Sequence, residues 1–173
     1  EDEYVFKYSG GLGTYCAKHQ PFAVYSTDAK KTFFCWGGTP KNDYRQLHHM
    51  VSYYDHATGM VPRPTVLLDK QTEDAHDNPV ISLDSEGYLW IFSTSHGISR
   101  PSFIHRSSRP YDIDQFERVP ATRVVDGARI PFDNFSYMQA YNVSGRGFVA
   151  FLTHYNDPAI RTNFFITSPD GIN

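Results

Sequence analysis

Residues 74–97 read DAHDNPVISLDSEGYLWIFSTSHG. Within them PVISL (79–83) alternates and is rich in β-formers. DSEG (84–87) is turn chemistry, with Gly87 free to take a positive φ, and YLWIFST (88–94) is the aromatic, apolar run of a buried strand. The segment therefore predicts a β-hairpin. Paired strands lie about 5 Å apart, so the residues just before the first strand and just after the second emerge at one edge of one sheet. Those residues are His76 and His96.

The same pattern recurs on both sides. HQPFAVYSTDAKKTFFCWGG begins at His19 and YMQAYNVSGRGFVAFLTHYN begins at Tyr137, so the starts at 19, 76 and 137 are 57 and 61 residues apart. Each segment opens on a ring-bearing polar residue, then runs strand, polar turn, aromatic strand, which predicts hairpins centred near residues 28, 85 and 145. Shorter strand-like pieces lie between: LHHMVSYYD (47–55), SFIHRS (102–107) and ATRVVD (121–126). Units of about four short strands repeating along a chain are propeller blades. The expected fold is all-β: a partial β-propeller of about three antiparallel blades, with long loops, belonging to a larger propeller expected to have seven. The domain expectation is a single partial-propeller domain over 1–173, a fragment of a longer chain, because propellers close with roughly four to eight blades. A β-sandwich of similar size is the competing fold. In a propeller, His19, His76 and Tyr137 occupy equivalent points and approach one shared surface.

The bulk numbers agree. The 173 residues include 12 Tyr and 13 Phe, a composition suited to β structure with aromatic surfaces. The net charge is −3 and no block is basic, so nucleic acid is not an expected partner. No apolar run reaches the length of a membrane span, and the opening EDEYVFKYSGG is not a signal peptide. Cys16 and Cys35 either pair, if the protein is exported, or stay as buried thiols. NFS (134–136) and NVS (142–144) fit the N-glycosylation acceptor pattern.

Four stretches, TYCAKHQPFAVYS, LHHMVSYYDHATGMVPRPT, DAHDNPVISLDSEGYLWIFSTSHG and RPSFIHRSSRPYDIDQFE, together resemble the BNR-repeat propeller family that includes ulvan-lyase-like polysaccharide lyases. The resemblance covers about residues 8–171, and Ser168, Asp170 and Gly171 look like a compressed Asp-box. It implies a secreted or periplasmic lyase that cleaves an acidic, uronate-containing polysaccharide of the ulvan type by β-elimination. In that family two histidines flank one blade hairpin, while a tyrosine and an arginine come from the next blade. His76 and His96 match the histidines and Tyr137 the tyrosine, with Tyr141 as the near alternative, which makes His76, His96 and Tyr137 the catalytic candidates. His154 stands where the family's arginine is expected, and Arg161 is the next arginine downstream. The candidate substrate-binding set is His154, Arg161, Arg100, Asn78 and His19. Two other functions stay open: a non-catalytic glycan-binding propeller and a sialidase-like glycoside hydrolase.

These residue types suit the chemistry. Elimination from a uronate removes the C5 proton and expels the C4 oxygen, so it needs a base, an acid and a cation for the adjacent carboxylate. Imidazole and phenol serve as acid or base, and a guanidinium grips a carboxylate with paired N–H bonds. A hydrolase needs two opposed carboxylates instead, and Asp77 and Asp133 are the acidic candidates. No organic cofactor and no catalytic metal is expected; a structural metal ion stays open, since three or four ligands would have to converge. His48 and His49, adjacent in a strand, point to opposite faces. His56 and His105 read as structural.

Overall fold

The computed structural model describes residues 4–6, 19–43 and 45–173. The chain runs β1 (Tyr4–Phe6), β2 (Ala23–Ser26), β3 (Lys31–Pro40), β4 (His48–Asp55), β5 (Thr65–Asp69), a 3-10 turn (Ala75–Asp77), β6 (Pro79–Leu83), β7 (Leu89–Ser93), β8 (Phe103–Ser107) and β9 (Phe116–Val119). It continues through β10 (Thr122–Val125), β11 (Ala128–Pro131), β12 (Ser136–Val143), β13 (Gly147–Tyr155) and β14 (Arg161–Ser168). The fold is all-β. Three antiparallel sheets follow one another as blades: β2–β5, with β1 added beside β3; β6–β9; and β12–β14. The small hairpin β10–β11 lies between the second and third. The predicted hairpin turns are all present, between β2 and β3, β6 and β7, and β12 and β13. Among the described residues no helix is long and apolar enough to cross a membrane.

The middle blade explains why YLWIFST is apolar throughout rather than alternating. Leu89 and Ile91, with Ile81 of β6, face the first blade, where they pack with Phe33, Cys35 and Val51. Trp90 and Phe92 face the third, against Met138, Ala140, Phe148, Ala150 and Leu152. One strand thus serves two cores, and each large side chain so buried contributes about 1.5–3 kcal/mol. The turn of this hairpin is organised by Asp84. Its carboxylate accepts the N–H groups of Glu86 and Tyr88 and the indole N–H of Trp90. Gly87 sits at φ 88°, where a Cβ would lie 2.4 Å from the Tyr111 ring.

The innermost strands meet directly. The segment before β2 wedges between the other two blades: the Ile81 N–H donates to Pro21 O, and Gln20 exchanges backbone bonds with Met138 and Ala140. This junction places the starts of all three repeats side by side. Cys35 is a fully buried free thiol, and burial pushes its pKa up. Cys16, and with it the proposed pairing, lies outside the described residues.

Candidate active site

The site begins with a cap. Asp74 has extended backbone and its carboxylate accepts the His76 N–H, as the N-cap of the 3-10 turn that leads into β6. That turn lifts His76 off the sheet edge. On the other side of the hairpin the chain leaves β7 and presents His96. The two rings stack with centroids 4.5 Å apart.

Asp74 joins them. His76 Nδ1 lies 2.5 Å from its Oδ1 and His96 Nδ1 lies 2.9 Å from its Oδ2. Burial alone would raise the Asp74 pKa. The His76 backbone N–H and the two imidazoles outweigh it and hold the pKa near 2. An ionised carboxylate has no proton to give, so both imidazoles are donors at Nδ1.

Tyr137 arrives from β12 through a register shift between Ser136 and Gln139. Its φ is 49°, a left-handed conformation that non-glycine residues seldom adopt. Such bulges re-aim a side chain, and this one turns the ring toward the histidines: it lies 5.9 Å from His96 and 6.4 Å from His76, edge-on to both. His19 completes the cluster, stacked on Tyr137 at 5.4 Å. It is fully buried and neither ring nitrogen has a hydrogen-bond partner among the described residues. Burial first, then electrostatic interaction with His76 and His96, lowers its pKa to about 3, so it is neutral.

Beneath the pair lies a buried charge network. Asp77, with no exposed surface, accepts the His96 N–H at 2.6 Å and the Arg100 guanidinium at 3.0 Å. Lys70 Nζ sits 3.9 Å from the same carboxylate and donates to Ser95 Oγ and Pro101 O. Asp77 therefore holds His96 in place through its backbone. Arg100 is tied to Asp77, and that interaction raises its pKa.

The remaining candidates separate. His154 and Arg161 fall on opposite faces of β13–β14, because Tyr155 pairs with Arg161 and His154 with Thr162. Tyr155 touches His96 at 5.7 Å and carries the Arg161 guanidinium 5.2 Å from its ring centroid. Arg161 is exposed and has no ion pair among the described residues. His154 turns the other way. Its Nδ1 is bonded to Asn134 O and its Nε2 faces Arg123, so it stands apart from the histidine pair. Asn78 is buried, its carboxamide oxygen pressed against Gly37. Tyr141 sits further along β12, 39% exposed, and makes no ring contact with the pair. Asn134 spends its side chain on the Tyr155 backbone.

Sequence reasoning missed Asp74 and Tyr155. Tyr155 was within reach of the repeat, since it ends β13 at the edge where His96 leaves β7. Asp74 offered only the D-x-H spacing of a capped turn. Asp74, His76 and His96 form a group of side chains close enough to share an ion, within 4.8 Å of one another. The nitrogen–oxygen separations are instead those of hydrogen bonds; ligand atoms around a tetrahedral zinc with ~2.0–2.1 Å bonds stand about 3.3 Å apart.

With this geometry in place, comparison with known proteins decides the family. The sequence matches the BNR repeat-containing family over residues 42–151. The chain belongs to that family. No curated protein matches it significantly. Among solved structures it is similar to a polysaccharide lyase, an ulvan lyase, seen both alone and bound to -[GlcA(1-4)Rha3S]-. In both cases the TM-score is 0.61 at 20% identity over 86% of this chain, and the chain spans 35% of the neighbour. This likeness is one of fold, and it bears out the propeller-type architecture of the BNR chain.

Proposed function

We propose that this BNR-family chain carries the acid–base centre of a secreted or periplasmic lyase that cleaves an acidic, uronate-containing polysaccharide by β-elimination. The observation that carries the reading is the bulge at Tyr137, which holds a phenol at φ 49° against two histidines from the neighbouring blade. Left-handed backbone at such a residue costs about 1–3 kcal/mol, and what it accomplishes here is to bring a third proton-transfer group to the pair. The elimination balances on these groups. A base takes the C5 proton, the freed pair forms the C4–C5 double bond, the C4–O bond breaks, and the leaving oxygen receives a proton. The histidine pair and Tyr137 supply base and acid. Arg161, exposed at the rim and without a carboxylate partner among the described residues, meets the uronate carboxylate as negative charge builds beside it. Arg100, already held by Asp77, adds positive potential.

A hydrolytic reading fares worse. It needs two carboxylates facing across the scissile bond. Asp74 is committed to two imidazoles and Asp77 is buried under His96 and Arg100. The neighbouring lyase, 35% of which this chain spans, supports a longer protein whose other blades cover the open face of β12–β14. That face carries Phe151 and Phe165, 53% and 59% exposed.

The test is ultraviolet absorbance of the unsaturated uronate product, followed over a panel of acidic polysaccharides with wild type, His96→Ala and Tyr137→Phe. The reading expects product from wild type and losses of about 10²–10⁴-fold in the variants. New reducing ends without absorbance would mean hydrolysis. Binding without either would mean a glycan-binding propeller.

A further inference from the structure

Asp74 has two properties that a simple turn cap does not need. Its Oδ1 takes both the His76 N–H, at 3.0 Å, and the His76 ring nitrogen, at 2.5 Å. Its Oδ2 reaches across the hairpin to the ring of His96 at 2.9 Å. One carboxylate thus receives an N–H from each of two imidazoles that are stacked on one another and belong to different ends of the hairpin. A cap would be satisfied by the first bond alone.

The consequence is chemical. A neutral imidazole carries its proton on one nitrogen, and the nitrogen that keeps it is the one with the acceptor. Water favours the Nε2–H form of free histidine, which would leave Nδ1 as the basic atom. We infer that Asp74 is a positioning residue that locks both His76 and His96 in the Nδ1–H form, fixes their rings in one stacked orientation, and so makes Nε2 the nitrogen each ring uses toward the polysaccharide. The same carboxylate stabilises whichever ring becomes positive during proton transfer, as a triad aspartate does for its histidine. Sharing it between two rings allows one to act as base while its neighbour remains a neutral hydrogen-bonding group. The catalytic consequence rests on the lyase reading; the tautomer does not.

Asn is the informative replacement. It caps helical turns as well as Asp, so Asp74→Asn keeps the local fold, but its one carbonyl oxygen accepts from only one ring and its amide must donate to something. The experiment is a long-range proton–nitrogen correlation spectrum of histidine-labelled protein, at a pH where both rings are neutral. It is recorded for wild type, Asp74→Asn and Asp74→Ala. Wild type is expected to show His76 and His96 in the Nδ1–H pattern, Asp74→Asn to switch one ring to Nε2–H, and Asp74→Ala to switch both. An Nε2–H pattern in wild type, or identical spectra in all three, overturns the inference. Turnover separates it from the lyase reading. Asp74→Asn is expected to lose about 10²–10⁴-fold in kcat with KM little changed. Wild-type kcat in that variant, with elimination intact, overturns the positioning role and leaves the lyase reading standing. The expected spectra without elimination by any form of the protein leave the positioning role standing and overturn the lyase.

Discussion

Replacing His96 by Ala removes a ring that touches three others, His76, Tyr137 and Tyr155, and reaches His19 through Tyr137. His96 is partly exposed, and its backbone N–H is held by Asp77 whatever side chain it bears. His96→Ala and His76→Ala are therefore expected to fold with nearly wild-type stability and to lose about 10²–10⁴-fold in turnover, read by initial rates beside a thermal melt. His19 behaves differently. Burial lowers its folded pKa to about 3, below the ordinary 6.5, so between these values the unfolded chain takes up a proton that the native chain does not. Its contribution to stability is complete above pH 6.5 and is lost as the pH falls from there toward 3. Buried His49, also pushed well below its ordinary value, acts in the same direction. Each adds a slope of up to about 1.4 kcal/mol per pH unit. Denaturant midpoints measured from pH 7 to 4 are expected to fall steadily, and His19→Leu is expected to remove its share of that slope. A flat profile in wild type would contradict the burial of neutral histidines.

The elements make their own predictions. Gly87 turns the β6–β7 hairpin at φ 88° against the Tyr111 ring, so Gly87→Ala meets both a strained backbone and a clash. A loss of about 1–3 kcal/mol is expected from the backbone alone, measured by chemical denaturation. Asp77 anchors the loop after β7, and removing it leaves Lys70, 1% exposed, as a buried charge without its partner. Asp77→Ala is expected to cost about 3–5 kcal/mol, far more than His96→Ala at the adjoining position. The hairpins themselves were legible in the sequence, because alternation, polar turns and aromatic strands leave a periodic trace. So was the meeting of His19, His76, His96 and Tyr137, because repeat register carries position with it. The faces of β13–β14 were not. His154 stands at the point in the sequence where the resemblance expects the arginine, but in a strand one residue's shift is a change of face, and Tyr155 and Arg161 hold the side nearer His96. Asp74 left no periodic trace at all: its role depends on two rings converging on one carboxylate, which only the folded hairpin brings about.

At the scale of the molecule, three blades stack through two cores that share the middle blade, and the inner strands knit through Gln20, Pro21 and Ile81. The candidate site sits where those inner strands begin, so its groups come from all three repeats and no blade alone can assemble it. The free side of the third blade shows Phe151 packed at a tilt against Phe165 with centroids 5.1 Å apart. A double change of Phe151 and Phe165 to Ser is expected to reduce self-association of this chain in sedimentation without altering the histidine spectra. The stacked histidines and the bulge-held tyrosine are proposed to perform β-elimination on an acidic polysaccharide. The most direct measurement is the ultraviolet absorbance of the unsaturated product when purified protein meets a uronate-containing polymer, with His96→Ala run in parallel. A rise in absorbance that the substitution abolishes is expected; an equal rise from both proteins, or chain cleavage without any rise, would rule out β-elimination by these residues.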